Sequence, residues 1–106
     1  MKRIHYKNFR LAGFSYYEGA IVFHKLRTGQ KLQLKAEPDN KYDPQAVAVY
    51  FKEYKLGYVP RNANYSISKF LEAGCPVFET RIQYIHPEDM PENQVGLVVY
   101  LKKAGD

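Results

Sequence analysis

The sequence predicts a mainly β domain, a small and partly closed β-barrel of about six or seven strands with one inserted α-helix. Three observations predict this fold. The chain has 106 residues, enough for one hydrophobic core. Apolar residues make up 45% and charged residues 25%, as in ordinary globular domains. Most apolar segments are short and separated by turn-forming residues. We therefore expect residues 1–106 to form a single domain.

Six segments have the pattern of strands, either strict alternation of apolar and polar residues or a short run of β-branched and aromatic residues. They are residues 9–13, 31–35, 46–51, 56–60, 77–85 and 94–101. The segment 20–26 is ambiguous between strand and helix. Residues 86–93 form an acidic loop that contains two prolines and separates the last two strands.

The apolar period changes from two to 3.6 near residues 62–73. Apolar side chains recur there at i, i+4, i+7 and i+8, namely Ala63, Ile67, Phe70 and Leu71. Asn62 can cap the first N–H groups, and Gly74 can adopt the left-handed conformation that ends a helix. This segment is the predicted helix, of about three turns.

The charge distribution favours a polyanionic partner. The formal net charge is +5 and the pI is near 9.3. Residues 1–61 carry twelve basic and five acidic side chains, whereas residues 62–106 carry four and six. The lone cysteine, Cys75, cannot form an internal disulfide, which is typical of a reducing compartment. No apolar run approaches the roughly 20 residues that span a bilayer. We therefore expect a cytoplasmic protein without membrane contact.

Residues 37–47 form the most informative stretch, because two prolines, one asparagine and two aspartates precede a buried strand. This composition predicts a rigid turn. One interpretation is that its polar groups serve only the backbone. The other begins with Tyr42 and Asp43: an aromatic ring beside an ionised carboxylate offers a stacking plane and an acceptor for a sugar hydroxyl.

Two further stretches combine aromatic and basic residues. Tyr16 and Tyr17 are adjacent at a predicted strand end, and neighbours in a strand point to opposite faces, so at least one ring should face solvent. The simpler interpretation is that one tyrosine packs inside and the other covers an edge. Tyr58 and Arg61 precede the predicted helix, whose N–H groups attract phosphate. The simpler interpretation of Arg61 is a surface residue beside a helix cap.

These stretches together resemble the HIRAN domain, a family found attached to helicase-like DNA repair ATPases and as free-standing bacterial proteins. The resemblance covers roughly residues 9–74. The matching residues are Gly13 with Tyr16-Tyr17, then Glu37-Pro38-Asp39-Asn40-Lys41-Tyr42-Asp43 leading into Ala46-Val47-Ala48-Val49, then Leu56-Gly57-Tyr58-Val59-Pro60-Arg61. It implies a modified OB-like or SH3-like β-barrel that, in helicase-linked eukaryotic members, captures the 3′-hydroxyl end of single-stranded DNA.

The resemblance implies seven nucleic-acid-binding residues: Tyr16, Tyr17, Asn40, Tyr42, Asp43, Tyr58 and Arg61. The first two tyrosines and Tyr42 match positions that hold the terminal nucleotides. Asp43 matches the carboxylate that accepts the free 3′-hydroxyl, with Asn40 as a turn-former and further contact. Tyr58 and Arg61 match positions near the DNA backbone. Ser15 stands where the helicase-linked members that bind ends carry an arginine, and Ala36 stands where many members carry one. A basic contact of those members is therefore missing here, and the candidates to replace it are Lys35, Lys41, Arg10 and Lys69.

The sequence favours a binding module over an enzyme. No phosphate-binding loop, zinc-spaced cluster or nucleophile motif is present, so we expect no catalytic residue, metal or cofactor. Asp39 and Asp43 could hold Mg²⁺ in a nuclease, but a proline-rich turn explains them with fewer assumptions. The partners expected are single-stranded DNA and a DNA-processing protein, with the chain a monomer or weak homodimer. The alternative is a protein-interaction or homo-oligomerisation module in a DNA repair or mobile-element context, whose apolar strand at 95–101 pairs at an edge.

Overall fold

The computed structural model describes residues 2–104, which form six β-strands, two short α-helices and four 3₁₀ turns. The strands are β1 (Arg3–Arg10), β2 (Lys31–Ala36), β3 (Val47–Phe51), β4 (Tyr54–Tyr58), β5 (Phe78–Ile85) and β6 (Val95–Lys102). The helices are α1 (Gly19–Val22) and α2 (Tyr65–Glu72). The 3₁₀ turns are Phe14–Tyr16, Phe23–Lys25, Arg61–Ala63 and Pro91–Asn93.

All neighbouring strands are antiparallel, in the order β1-β6-β5-β2-β3-β4. The predicted mainly β fold with six strands and an inserted helix is confirmed. The sheet is not closed as a full barrel, because β1 and β4 do not pair as strands. Ala12, which follows β1, instead exchanges two backbone hydrogen bonds of 2.9 and 2.8 Å with Tyr58 at the end of β4. This bridge links the two edges of the sheet, near the end of β1 and the end of β4.

Two sequence predictions about the strands at one end of the sheet are wrong. The first strand covers Arg3–Arg10 rather than 9–13, because pairing with β6 fixes a segment whose own pattern is mostly polar. β6 consequently lies between β1 and β5, so the idea that the last strand pairs at an exposed edge is also wrong. The ambiguous segment near 20–26 is α1 followed by the 3₁₀ turn Phe23–Lys25.

Helix α2 begins later than the sequence predicts. A 3₁₀ turn occupies Arg61–Ala63, and Asn64 rather than Asn62 takes the N-cap position. The predicted end is confirmed, because Gly74 has a φ of 77°. Ile67 is fully buried, whereas Phe70 is 46% exposed and not the core residue that its spacing predicts. The helix packs through the buried Ile67 and Ser68, and Leu71 of the predicted stripe lies partly buried against the core.

The hydrophobic core lies between the curved sheet, α1 and α2. Its fully buried members come from β3, β4, α2, β5 and β6, and include Val47, Val49, Leu56, Ile67, Ile82, Leu97 and Val99. Burial of each such side chain stabilises the fold by about 1.5–3 kcal/mol before entropy losses. Among residues 2–104, no helix has the length and apolarity needed to span a membrane.

A buried carboxylate on β5 ties β1 and β5 together. The Glu79 side chain is 1% exposed, and its Oε2 accepts hydrogen bonds from Arg3 Nη1 at 2.6 Å and Arg81 Nε at 2.7 Å. The hydrogen bond from Arg81 is the largest effect on this carboxyl, and with Arg3 it outweighs burial and lowers the pKa of Glu79. The ionised form therefore stabilises the folded state.

We expect the stability to fall in acid through Glu79. Because its pKa is lowered on folding, its contribution is complete above the ordinary value of 4.5 and is lost as the pH falls through the folded value. Glu79→Gln should cost about 1.5 kcal/mol at pH 7, since both arginines can return to water. It should also flatten the fall of melting temperature below pH 4.5. An unchanged acid slope in the variant would mean that other carboxyls govern the acid transition.

Candidate nucleic-acid interface

An open groove of about 370 Å³ lies where the loop between β2 and β3 meets the end of β4 and the start of α2. Six of the seven predicted binding residues line it: Tyr17, Asn40, Tyr42, Asp43, Tyr58 and Arg61. Ala12, Ala46, Val59 and Asn64 complete the lining. Tyr16 does not line this groove. The fold thus brings together residues that are up to 44 positions apart in sequence.

The loop between β2 and β3 is held by the side chain of Asn40. Its Oδ1 accepts the backbone N–H groups of Tyr42 at 2.9 Å and Asp43 at 3.1 Å, and its Nδ2 donates to Glu37 Oε1 at 3.0 Å. A backbone hydrogen bond of 2.8 Å from Glu37 to Ala46 closes the loop base. Asn40 therefore builds the turn, and one N–H of its side-chain amide remains for a ligand.

Asp43 lines this groove, and its carboxylate is partly satisfied by hydrogen bonds. Oδ1 accepts the Gln45 N–H at 2.9 Å, and Oδ2 accepts the Asn64 side-chain N–H at 2.9 Å. Arg61 Nε lies 3.8 Å from Oδ2, and the Asp43 side chain is 18% exposed. Each carboxylate oxygen can accept about two hydrogen bonds, so each retains one acceptor site.

The same contacts keep Asp43 ionised. The Gln45 backbone N–H is the largest influence, and with the Asn64 amide and the Arg61 guanidinium it lowers the pKa of Asp43. The hydrogen bond from Asn64 to Asp43 also anchors the loop between β2 and β3 to the residue that precedes α2. Replacing it with alanine would leave the Asn64 and Gln45 N–H groups without their acceptor, so asparagine is the better variant for binding studies.

The aromatic residues of the interface differ in exposure. Tyr42 is 84% exposed at the groove, and Tyr17 is 40% exposed, with its ring edge-on to Tyr58 at 5.5 Å. Tyr16 is 84% exposed, but it lies on the 3₁₀ turn Phe14–Tyr16 and not at a strand end. The expectation that at least one of the paired tyrosines faces solvent is confirmed.

The hydroxyl of Tyr58 belongs to a polar network behind the groove, which the sequence did not indicate. It donates to Glu37 Oε1 at 2.7 Å and accepts from Lys55 Nζ at 2.8 Å, and Lys55 forms an ion pair of 3.0 Å with Glu37. Burial opposes the charge on Lys55, but hydrogen bonds to Tyr58 and Glu37 outweigh it and raise its pKa. Only the ring of Tyr58 is therefore free for a ligand.

Arg61 supplies the positive charge of the groove lining. Its side chain is 74% exposed, and Nη2 donates to the backbone carbonyl of Tyr42 at 3.2 Å. The remaining N–H groups of the guanidinium can reach a phosphate at the rim. Within residues 2–104, no group of three or more His, Cys, Asp or Glu side chains is arranged to hold a metal ion.

Comparisons with known proteins agree with the sequence resemblance. A crystal structure of a Lactobacillus plantarum protein superposes with a TM-score of 0.78 at 20% identity, covering 94% of this chain and 95% of that one. The HIRAN domain of human HLTF superposes with a TM-score of 0.67 at 14% identity, covering 95% of this chain and 81% of that one. At these identities the likeness shows a shared fold. No curated protein sequence matches the chain significantly. The sequence profile of the HIRAN domain matches residues 4–103, and the chain therefore belongs to the HIRAN domain family.

Proposed function

We propose that this chain is a non-catalytic module that captures single-stranded DNA at its 3′-hydroxyl end in the groove described above. One observation carries the proposal: Tyr17, Tyr42, Asp43 and Arg61 line one open concave surface. The set combines aromatic faces, an ionised acceptor and a cation. These are the groups needed for the bases, the terminal hydroxyl and the phosphates of a strand end.

The aromatic faces supply affinity without reading sequence. Tyr42 projects from a loop whose backbone is fixed by Asn40, so little order is lost when a base stacks on its ring. Stacking on an aromatic side chain contributes about 1–3 kcal/mol per base and tolerates any base. Tyr17 offers a second aromatic face in the groove. The exposed Tyr16 beside it offers a third, which lies outside the groove.

Asp43 supplies selectivity for the end of the strand. An ionised carboxylate with unused acceptor sites can accept the hydrogen of a 3′-hydroxyl, and a hydrogen bond to a charged group is worth about 1.5–3 kcal/mol. A 3′-phosphate would bring negative charge to Asp43 and offer no donor at neutral pH. An internal nucleotide has no 3′-hydroxyl to offer, so the groove selects ends.

Arg61 supplies the attraction for the phosphate that precedes the terminal nucleotide. Its guanidinium stands at the groove rim, where a bound strand would pass from the terminal sugar to the next unit. Arg61 is the cation in the groove lining, and its attraction for phosphate should make the affinity fall as the salt concentration rises. We also propose a cytoplasmic DNA repair context, in which a DNA-processing partner would supply any remodelling of the DNA.

Fluorescence anisotropy with short labelled oligothymidylates tests the proposal. We expect the oligonucleotide with a 3′-hydroxyl to bind at least about tenfold more tightly than the same oligonucleotide with a 3′-phosphate. A strand with a 5′-phosphate and a free 3′-hydroxyl controls for added charge and should bind like the unmodified strand. Equal affinity for both 3′ ends would refute end recognition, and no binding at low salt would refute the DNA-binding proposal.

A further inference from the structure

A second cleft, of about 330 Å³, lies on another part of the molecule between β2 and β5. These strands pair only at Lys31↔Arg81 and Leu32↔Thr80, and they diverge beyond that point. Apolar side chains of Leu34, Leu71, Pro76 and Phe78 contribute to the lining. None of its residues lines the groove that contains Asp43.

The divergence leaves part of β2 without a neighbour on this side. Successive residues of a strand direct their backbone groups to opposite neighbours. Glu37, just beyond β2, donates its N–H to Ala46 beside β3, so the alternation places the backbone groups of Leu34 and Ala36 on the side of the cleft. β5 does not pair with these two residues. They present a short, unpaired strand edge.

The side chains along this edge alternate in character. Lys31, Gln33 and Lys35 are exposed, whereas Leu32 is buried and Leu34 is half-buried. Neither Lys31 nor Lys35 forms an ion pair with any residue in the range 2–104. Lys102 adds a third ammonium to the lining, while Glu79, the one carboxylate there, is already paired with two arginines. The cleft is therefore basic at its surface, and below it apolar side chains lie beside the buried polar residues Glu79 and Thr80.

We propose that this cleft binds an extended acidic segment of a partner protein, which adds to β2 as a short strand. Backbone hydrogen bonds to Leu34 and Ala36 would supply affinity, and cross-strand neighbours would supply specificity. An acidic side chain opposite Lys35 would pair with it, and a second acidic side chain two residues along, opposite Gln33, would lie diagonal to Lys31. The apolar residue between them would enter the lining beside Leu34. The recognised pattern is thus alternating acidic and apolar residues over about three to five positions.

Charge and hydrogen-bonding chemistry favour this occupant over a nucleic acid. A phosphodiester backbone has acceptors but no N–H donors, so it cannot satisfy the exposed carbonyl groups of a strand edge. A peptide backbone offers both a donor and an acceptor at alternate residues. The cleft lining includes no exposed aromatic face on which a base could stack, since Phe78 is half-buried and packs edge-on against Phe70.

Peptide titration of the isotope-labelled protein, followed by NMR, tests the proposal. The probes are a hexapeptide of alternating glutamate and leucine, a matched peptide of alternating lysine and leucine, and a block peptide with three glutamates before three leucines. We expect the alternating acidic peptide to shift the amides of Leu34 and Ala36 and to leave Tyr42 and Asp43 unchanged. Equal binding of the block peptide, or shifts confined to the groove around Asp43, would overturn the proposal.

Charge reversal separates recognition from general attraction. The double variant Lys31→Glu with Lys35→Glu should weaken the alternating acidic peptide by about tenfold or more and should gain affinity for the lysine peptide. Lys25→Glu, which changes an exposed lysine outside both sites, should leave the affinity within about twofold. If the double variant does not bind the lysine peptide more tightly than the wild type does, the proposal is overturned. An oligothymidylate that shifts Leu34 and Ala36 instead would assign the cleft to nucleic acid.

Discussion

Tyr42→Ala should weaken binding of a 3′-hydroxyl oligothymidylate by about 5- to 100-fold, which corresponds to the loss of one stacked base. The Tyr42 ring is 84% exposed, and its hydroxyl forms no hydrogen bond within residues 2–104. The contacts of residue 42 with Asn40 and Arg61 use its backbone and survive the substitution. The melting temperature should therefore stay within a few degrees of wild type.

The matched control is Tyr65→Ala. Tyr65 is 58% exposed on α2 and does not line the groove around Asp43. Both variants remove one exposed tyrosine, so a general loss of aromatic surface would affect them alike. Anisotropy titrations of both variants at one salt concentration measure the two losses of affinity. Similar losses of affinity in the two variants, or no loss in Tyr42→Ala, would contradict the assignment of Tyr42 as a stacking residue.

Gly57→Ala should destabilise the fold by about 3 kcal/mol or more. Gly57 adopts a φ of +154°, and a Cβ there would lie 2.3 Å from the carbonyl oxygen of Ala12. Backbone strain at such a position costs about 1–3 kcal/mol, and the overlap adds a similar amount because a backbone atom must move. The bridge between Ala12 and Tyr58 would open, and the groove lining would lose its alignment.

Gly29→Ala separates the backbone strain from the steric overlap. Gly29 has a φ of +87°, but a Cβ there meets no atom within 4 Å, so only the conformational strain applies. Chemical denaturation should give a loss of about 1 kcal/mol for Gly29→Ala, well below that for Gly57→Ala. At a temperature where both variants are folded, only Gly57→Ala should also weaken binding of the oligonucleotide. Equal losses of stability would show that the approach of Ala12 does not constrain residue 57.

Segments with strong local patterns were predictable from the sequence. The β-rich run before Phe51 and the alternating segment that contains Ile82 are strands close to their predicted bounds, because side-chain period alone specifies them. β1 was missed over residues 3–8, six of its eight residues, since its strand conformation comes from pairing with β6 and not from its own composition. Missing β1 also led to the wrong expectation that β6 is an edge strand.

The contacts of the candidate site also divide into local ones, which the sequence predicted, and long-range ones, which it did not. The turn around Asn40 closes through bonds between residues two or three apart, and its composition predicted it. The bond from Asn64 to Asp43 and the bond from Tyr58 to Glu37 each join residues 21 positions apart. Such pairs depend on strand register, which a bulge between Val49 and Tyr50 shifts in this protein. No local pattern encodes that shift.

A double cycle of protein and oligonucleotide variants tests end recognition by Asp43 most directly. The wild type and Asp43→Asn are each titrated with oligothymidylates that end in a 3′-hydroxyl or in a 3′-hydrogen. Asparagine keeps the shape of the side chain, and a rotated Asn64 amide can still bond to it. We predict that loss of the hydroxyl weakens the wild type by about tenfold or more and weakens Asp43→Asn several-fold less, because a neutral amide forms a weaker hydrogen bond than a carboxylate does. The same loss in both proteins, or none in the wild type, would contradict recognition of the strand end by this carboxylate.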